Sequence, residues 1–361
     1  MAKIPEVTLR SCEKAMPVVG MGTSSYPQAD LETGKAAILE AIKAGYRHFD
    51  TAFVYGSEQH IGKAIAEALS LGLIKSRDEL FITTKLFASF AERDLVVPAI
   101  KMSLSVALSF YTVIFFTISS PISRLKTSHV RRTWVVCGAK LRLFFAFLIS
   151  KLELDYVDMY IIHWPFKLSK EVKSMPVDKE LIQPLDIKSV WEGMEDCKKL
   201  GLAKGIGVSN FTPQMLEELL LVAKIPPALN QVEMSPIWQQ KKLREFCEAK
   251  GIHITAYSPL GASGTKWGDN RVVGCDVLEE IANAKGKTTA QIALRWVYEQ
   301  GVSLVTKSYN KERMRKNVDI FDWCLTQQES EKISQLPQRK TVTFASIVGP
   351  HDLVLQIDQE I

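Results

Sequence analysis

Four side chains of this 361-residue sequence could do chemistry together: Asp50, Tyr55, Lys85 and His163. Asp50, Lys85 and His163 each close a short apolar run ("YRHFD", "FITTK", "YVDMYIIH"), and Tyr55 lies just beyond the first. A phenol has a pKa of about 10 and is a poor proton donor near neutrality. A neighbouring ammonium stabilises the phenolate and lowers that pKa. A carboxylate would hold the ammonium, and a neutral imidazole can orient a substrate oxygen. Together such groups stabilise and protonate an oxyanion formed from a carbonyl. That is half of a carbonyl reduction. Side chains supply no hydride, so the chemistry requires a nicotinamide cofactor. Taken singly, Asp50 reads equally as a cap and His163 as a satisfied core histidine; the set is what points to chemistry.

The elements that must position these groups follow one rhythm. Short apolar runs alternate with amphipathic stretches eight times, from "MPVVGMGT" followed by "ETGKAAILEAIKAG" to "SLVTKSY" followed by "KERMRKNVDIFD". Continuous apolar runs suit strands covered on both faces. Strand–helix alternation implies parallel pairing through right-handed crossovers. Eight units predict an α/β fold, a single-domain (β/α)8 TIM barrel. A doubly wound open sheet is the competing architecture. Against it, "GMGTSS" and "GIGVSN" both lack the third glycine of a dinucleotide fingerprint. In a barrel, reactive groups gather at the C-terminal ends of the strands. Those ends carry Gly22-Thr23, Asp50, Lys85, His163-Trp164, Ser209-Asn210, Gln231 with Glu233, Tyr257-Ser258 and Lys307-Ser308. So many polar groups at one mouth predict a pocket.

In this order, "GYRHFDTAFVYGSE", "FITTKL", "YVDMYIIHWP", "GIGVSNF", "NQVEMSP", "AYSPLG" and "VTKSYNKERMRKN" resemble the aldo-keto reductases. The likeness spans nearly all of the chain outside residues 106–150. It implies Tyr55 as general acid, Lys85 lowering its pKa, Asp50 holding Lys85, and His163 orienting the carbonyl. It implies NADPH as cofactor, with Thr23 and Asp50 near the nicotinamide riboside. Ser209, Asn210 and Gln231 would hold the carboxamide, and Tyr257 would stack on its ring. Ser258, Leu260 and Ser263 would follow the pyrophosphate, and Lys307, Ser308, Arg313 and Asn317 the 2′-phosphate. Clustered Lys and Arg beside a helix start suit that dianion. Phe53, Phe87, His163 and Trp164 would line the substrate pocket. Within the family the chain is most similar to the plant enzymes, and there to the D-galacturonate reductases. The implied reaction turns D-galacturonate into L-galactonate, a step towards ascorbate. Plant reductases of alkaloid and polyketide ketones are close competitors. The chain departs from many relatives at Phe87 (Trp there), at the bulky pair Phe53-Val54, and at Lys316. "TVTFASIVGPHDLVLQ" is read as a loop crossing the barrel mouth.

One stretch breaks the rhythm. Val106–Ser150 holds two apolar bursts, eight aromatics, six Lys or Arg, and no acid. Taking those six charges from the net +5 leaves −1, so the basic balance is local. Nothing else suggests a nucleic-acid or anionic-membrane partner. A spanning helix needs about 20 mainly apolar residues, and Pro121 and Arg142 interrupt both bursts well short of that. Without the segment, "AIKMSLSKLELDYVDMY" regains a helical apolar period. The segment is read as an insertion between the third helix and the fourth strand, a retained intron expected outside an intact barrel. The alternative is a non-catalytic barrel, binding or membrane-associated because of it. The six scattered cysteines form no CxxC, which argues for reduced thiols and no metal site. With no apolar signal region at the start, the expectation is a cytoplasmic monomer acting on a small carbonyl compound.

Overall fold

Eight parallel strands close into a barrel: β1 (Val19–Gly22), β2 (His48–Asp50), β3 (Phe81–Leu86), β4 (Val157–Ile162), β5 (Ala203–Ser209), β6 (Leu229–Glu233), β7 (His253–Tyr257) and β8 (Ser303–Thr306). Each pairs with its sequence neighbours, and β8 returns to β1 through Leu304 opposite Val19. This computed structural model describes residues 3–105, 151–169, 172, 177, 179–265 and 268–342. The strands are short and nearly all buried because helices cover their outer faces and side chains fill the interior.

The covering helices are α1 (Leu31–Lys43), α2 (Glu58–Ser70), α3 (Arg93–Leu104), α4 (Ile187–Lys199), α5 (Pro213–Val222), α6 (Lys241–Lys250), α7 (Asp276–Lys285), α8 (Thr289–Glu299), α9 (Lys311–Val318) and α10 (Gln327–Ser334). Their limits follow local chemistry. Asp30 caps α1 by accepting from the Thr33 N–H at 2.9 Å, and Thr288 with Gln291 forms a capping box on α8. Gly251 and Gly286 take left-handed φ values of 67° and 63° to end α6 and α7.

Among the described residues, two antiparallel hairpins lie outside the eightfold pattern. Reading "MPVVGMGT" as one strand is corrected. Met16–Pro17 pairs with Glu6–Val7, and only Val19–Gly22 joins the barrel. Pro17 has no N–H to give a barrel neighbour, and its carbonyl contacts His48 Nδ1 instead. The hairpin buries Leu9, Cys12 and Met16 against Phe81 and Leu229, which begin β3 and β6, and so floors the barrel at its strand starts. Beneath it, Asp158 on β4 takes Lys14 Nζ at 3.0 Å, Arg77 Nη2 at 2.7 Å and the Ile82 N–H at 2.8 Å. The second hairpin, Phe166–Leu168 with Ile182–Pro184, rises beside the mouth.

Residues 106–150 lie outside the described residues, so their placement outside the barrel stays an expectation. The barrel around them is intact. The Ser105 carbonyl accepts from the Lys151 N–H at 3.5 Å, and the Ser103 carbonyl from the Leu152 N–H at 3.0 Å. The chain therefore leaves and returns at one point. Most of the loop expected across the mouth also lies outside the described residues. Its first two residues are fixed: the Thr341 and Val342 N–H groups donate to the buried Glu233 carboxylate at 2.8 and 2.9 Å.

Candidate active site

The strand ends bring Asp50, Tyr55, Lys85 and His163 together. Asp50 closes β2, and Lys85 lies near the end of β3. Tyr55 ends a single 3-10 turn (Phe53–Tyr55), closed by Gly56 at φ 64°. His163 follows β4 directly, its N–H bonded to the Leu86 carbonyl. Lys85 Nζ donates to Asp50 Oδ1 at 2.5 Å and to the Thr51 carbonyl at 2.9 Å. Both side chains are almost fully buried. The other Asp50 oxygen accepts from Gln231 Nε2 at 2.8 Å. The Tyr55 hydroxyl lies 3.2 Å from His163 Nε2, and Lys85 Nζ lies 4.9 Å from the Tyr55 ring centroid.

Burial sets the protonation states. Desolvation, and then the Lys85 charge, hold His163 well below its ordinary pKa, so it is neutral. Desolvation lowers Lys85 while Asp50 raises it. Desolvation, and then the Asp50 carboxylate, push the Tyr55 phenol well above the usual tyrosine value. The ammonium donates to Asp50 and to the Thr51 carbonyl and lies over the Tyr55 ring. Tyr55 thus stands as a protonated donor. His163 Nδ1 is buried with no hydrogen-bond partner among the described residues.

Around this core the expected cofactor residues fall into three groups. At the mouth, the Thr23 hydroxyl donates to the Asp50 carbonyl at 2.9 Å, and Ser209 Oγ to the Gln231 carbonyl at 2.7 Å. Asn210, at φ 64°, gives Nδ2 to the His163 carbonyl and takes the Tyr257 hydroxyl on Oδ1 at 2.9 Å. A small polar amide tolerates that left-handed conformation, which a branched residue would not. The second group is the loop after β7. Ser258 has φ 51°, Leu260 is half-buried, and Ser263 is exposed with its hydroxyl donating to Asn270. The third is at α9. Lys307 is exposed at the rim, its pKa lowered by partial desolvation and by the Arg313 charge. Ser308 is buried beside Asn310, whose side chain caps α9 on the Arg313 N–H. Asn317 is buried on the same helix. The donor chemistry fits a nicotinamide dinucleotide: carboxamide-matching amides at the barrel mouth, and paired cations at a helix start for a terminal phosphate.

The side expected to receive the substrate is aromatic. His163 and Trp164 stack at 5.1 Å, and Trp164 and Phe166 at 6.1 Å. Phe53 stacks on Phe87 at 6.2 Å and meets Phe90 edge-on at 5.3 Å. The Phe166–Pro184 hairpin packs Phe166, Leu168 and Ile182 onto this cluster. Sequence reasoning missed Phe90, Phe166 and the hairpin. The alternation in "FKL" and the proline closing "LIQP" were signals, too short to be read alone. It also missed Ser57, which links the Thr23 and Thr51 hydroxyls at 2.7 and 2.8 Å and ties β1 to β2.

Comparison with known proteins agrees with this geometry. The Aldo/keto reductase family profile matches residues 18–337. The chain is 65% identical to a D-galacturonate reductase of Fragaria ananassa across 364 aligned positions, covering 100% of both. It is 52% identical to the 7-acetyl-epi-neemfruitin B aldo-keto reductase of Melia azedarach, over 96% of this chain and 95% of that one. Among solved structures, a Bombyx mori aldo-keto reductase in complex with NADP superposes with a TM-score of 0.74 at 31% identity, covering 96% and 97% of the two chains. Among the described residues, no helix is long and apolar enough to cross a membrane.

Proposed function

The chain belongs to the aldo/keto reductase family, and on that premise we propose that it is an NADPH-dependent carbonyl reductase whose substrate is D-galacturonate, reduced to L-galactonate. The observation that carries the chemistry is the contact of the Tyr55 hydroxyl with a neutral His163, backed by the buried Lys85–Asp50 pair. The substrate assignment rests on the 65% identity to the strawberry enzyme.

A carbonyl oxygen placed between Tyr55 and His163 accepts a hydrogen bond from each. His163 orients the oxygen, because a neutral ring has one N–H to give. When bound, the nicotinamide supplies the hydride. As negative charge grows on the oxygen, the Tyr55 O–H proton passes to it, and the Lys85 charge stabilises the phenolate left behind. Asp50 keeps Lys85 protonated despite burial. Asp50, Ser209, Asn210 and Gln231 would hold the nicotinamide end, and Lys307 and Arg313 the 2′-phosphate. Thr23, Tyr257, Ser258, Leu260, Ser263, Ser308 and Asn317 would complete the cofactor site. Phe53, Phe87 and Trp164 exclude water from the reacting carbon. One chain carries every one of these groups, so the reading keeps a monomer, in the cytoplasm, as the working unit.

The test is NADPH oxidation by the full chain, and by a form with residues 106–150 excised, with D-galacturonate and simple aldehydes. Turnover that collapses in Tyr55→Phe is the expected result. A folded excised form that turns over none of these carbonyls, with Tyr55→Phe indistinguishable from it, refutes the assignment.

A further inference from the structure

Lys151 is the first described residue after the 106–150 segment, and its side chain is almost buried at 11% exposure. Its Nζ lies 3.7 Å from the Phe53 ring centroid and 3.9 Å from Oε2 of the buried Glu58. A buried ammonium is costly unless paired, and here a carboxylate and a ring face share it. The other Glu58 oxygen accepts from Thr84 Oγ1 at 2.8 Å, one residue before Lys85. Desolvation lowers the Lys151 pKa while Glu58 raises it, as expected of a cation held by its partners rather than by water.

The backbone that carries Lys151 is locked. Leu152 is bonded to Ser103, and Lys63 Nζ meets Glu153 at 2.8 Å. Gly62 on α2 leaves room for the chain: a Cβ there would come within 2.4 Å of the Leu152 carbonyl oxygen. The ammonium is therefore delivered at a fixed place against Phe53. Phe53 in turn sets the stack on Phe87 and the edge contact with Phe90.

We propose that Lys151 is a positioning residue that fixes the Phe53–Phe87–Phe90 wall and thereby sets which carbonyl compounds the mouth accepts. The inference rests on the reading of that wall as the substrate side of a carbonyl reductase. It ties substrate range to the point where residues 106–150 join the barrel. Lys151 touches neither the reacting atoms nor the cofactor groups, so its effect belongs in KM for the carbonyl rather than in kcat.

Steady-state kinetics of the full chain with 4-nitrobenzaldehyde and D-galacturonate test this, alongside NADPH affinity and thermal melting. Lys151→Met should raise KM for the aromatic aldehyde about three- to thirtyfold, the span from an exposed to a desolvated cation–π contact. Its kcat should stay within about twofold and its NADPH affinity should not change. Lys151→Arg should restore KM. If Lys151→Met folds poorly, Lys151→Met/Glu58→Gln removes both charges and should show the same KM rise. An unchanged KM in whichever variant folds overturns the inference. So does a parallel fall of kcat, NADPH affinity and melting temperature that Lys151→Arg fails to rescue. A wild-type chain inactive on every carbonyl, a distinct outcome, overturns the functional reading and this inference with it.

Discussion

The two ends of the barrel each bury a carboxylate with its cations, and they differ in what surrounds the charges. At the floor, Asp158 receives Lys14, Arg77 and a backbone N–H. At the mouth, Asp50 receives Lys85 and Gln231. Both carboxylates are buried, but the floor one meets two partly exposed cations and the mouth one a single buried cation. The neighbours differ. The mouth pair abuts a phenol and an imidazole, and that imidazole keeps a buried nitrogen without a partner among the described residues. The floor has its own buried nitrogen without one among the described residues, Arg77 Nε, but a guanidinium stays protonated near neutrality. The floor histidines are spoken for: His48 by Pro17 and Thr83, His253 by Ser303. What sets the mouth apart is the phenol–imidazole contact beside its buried pair, which the floor lacks among the described residues.

That contrast can be broken from either end. The largest effect belongs to the mouth. Tyr55→Phe should lower kcat/KM about a thousandfold, near the middle of the range for losing a general acid, while melting and NADPH affinity hold. Equal loss of stability and turnover would erase the distinction. At the floor the expectation inverts. Asp158→Asn leaves Lys14 and Arg77 without their charge partner and should cost about 3 kcal/mol in urea unfolding, with kcat of the folded fraction near wild type.

The floor histidines give a pH signature. Desolvation holds His48 and His253 at about 4, against 6.5 for an ordinary histidine. The unfolded chain therefore binds more protons between those values. Stability should be intact above about 6.5 and fall as pH drops towards 4, by up to about 3 kcal/mol per histidine. Unfolding free energy across that window checks it, and His253→Gln should shrink the slope. The smallest effect is at α9. Arg313→Ala should raise KM for NADPH about tenfold and leave the NADH value nearly unchanged, the size of one charge-assisted phosphate contact.

The parts legible in the sequence are those a local rule decides. Parallel strands read as apolar runs, and the polar residues that end them land where the barrel opens, so Asp50, Lys85, His163, Asn210 and Gln231 could be gathered before any coordinates. The illegible parts depend on pairing across distance. Nothing in "MPVVGMGT" says that Met16–Pro17 turns away to floor the barrel. Asp158 sits within an apolar run, and its partners come from a turn and a loop far off in the chain. The Lys85–Asp50 pair was legible too, but only geometry shows how far burial, and then Asp50, push the Tyr55 phenol up. The aromatic wall was half visible, with Phe53 and Phe87 in hand and Phe90 and Phe166 hidden in short turns.

The neck at Ser105 and Lys151 has a consequence for covalent continuity. Its two ends are already bonded through backbone, so β3 and β4 keep their register whatever connects them. A loop of tens of residues costs about 3 kcal/mol in closure entropy, and its length changes that only slowly. The tie is one of proximity, not of geometry. Halves ending at Ser105 and starting at Lys151 would complement one another as separate fragments, because the contacts that seat Lys151 against α2 and α3 do not run through the chain between them.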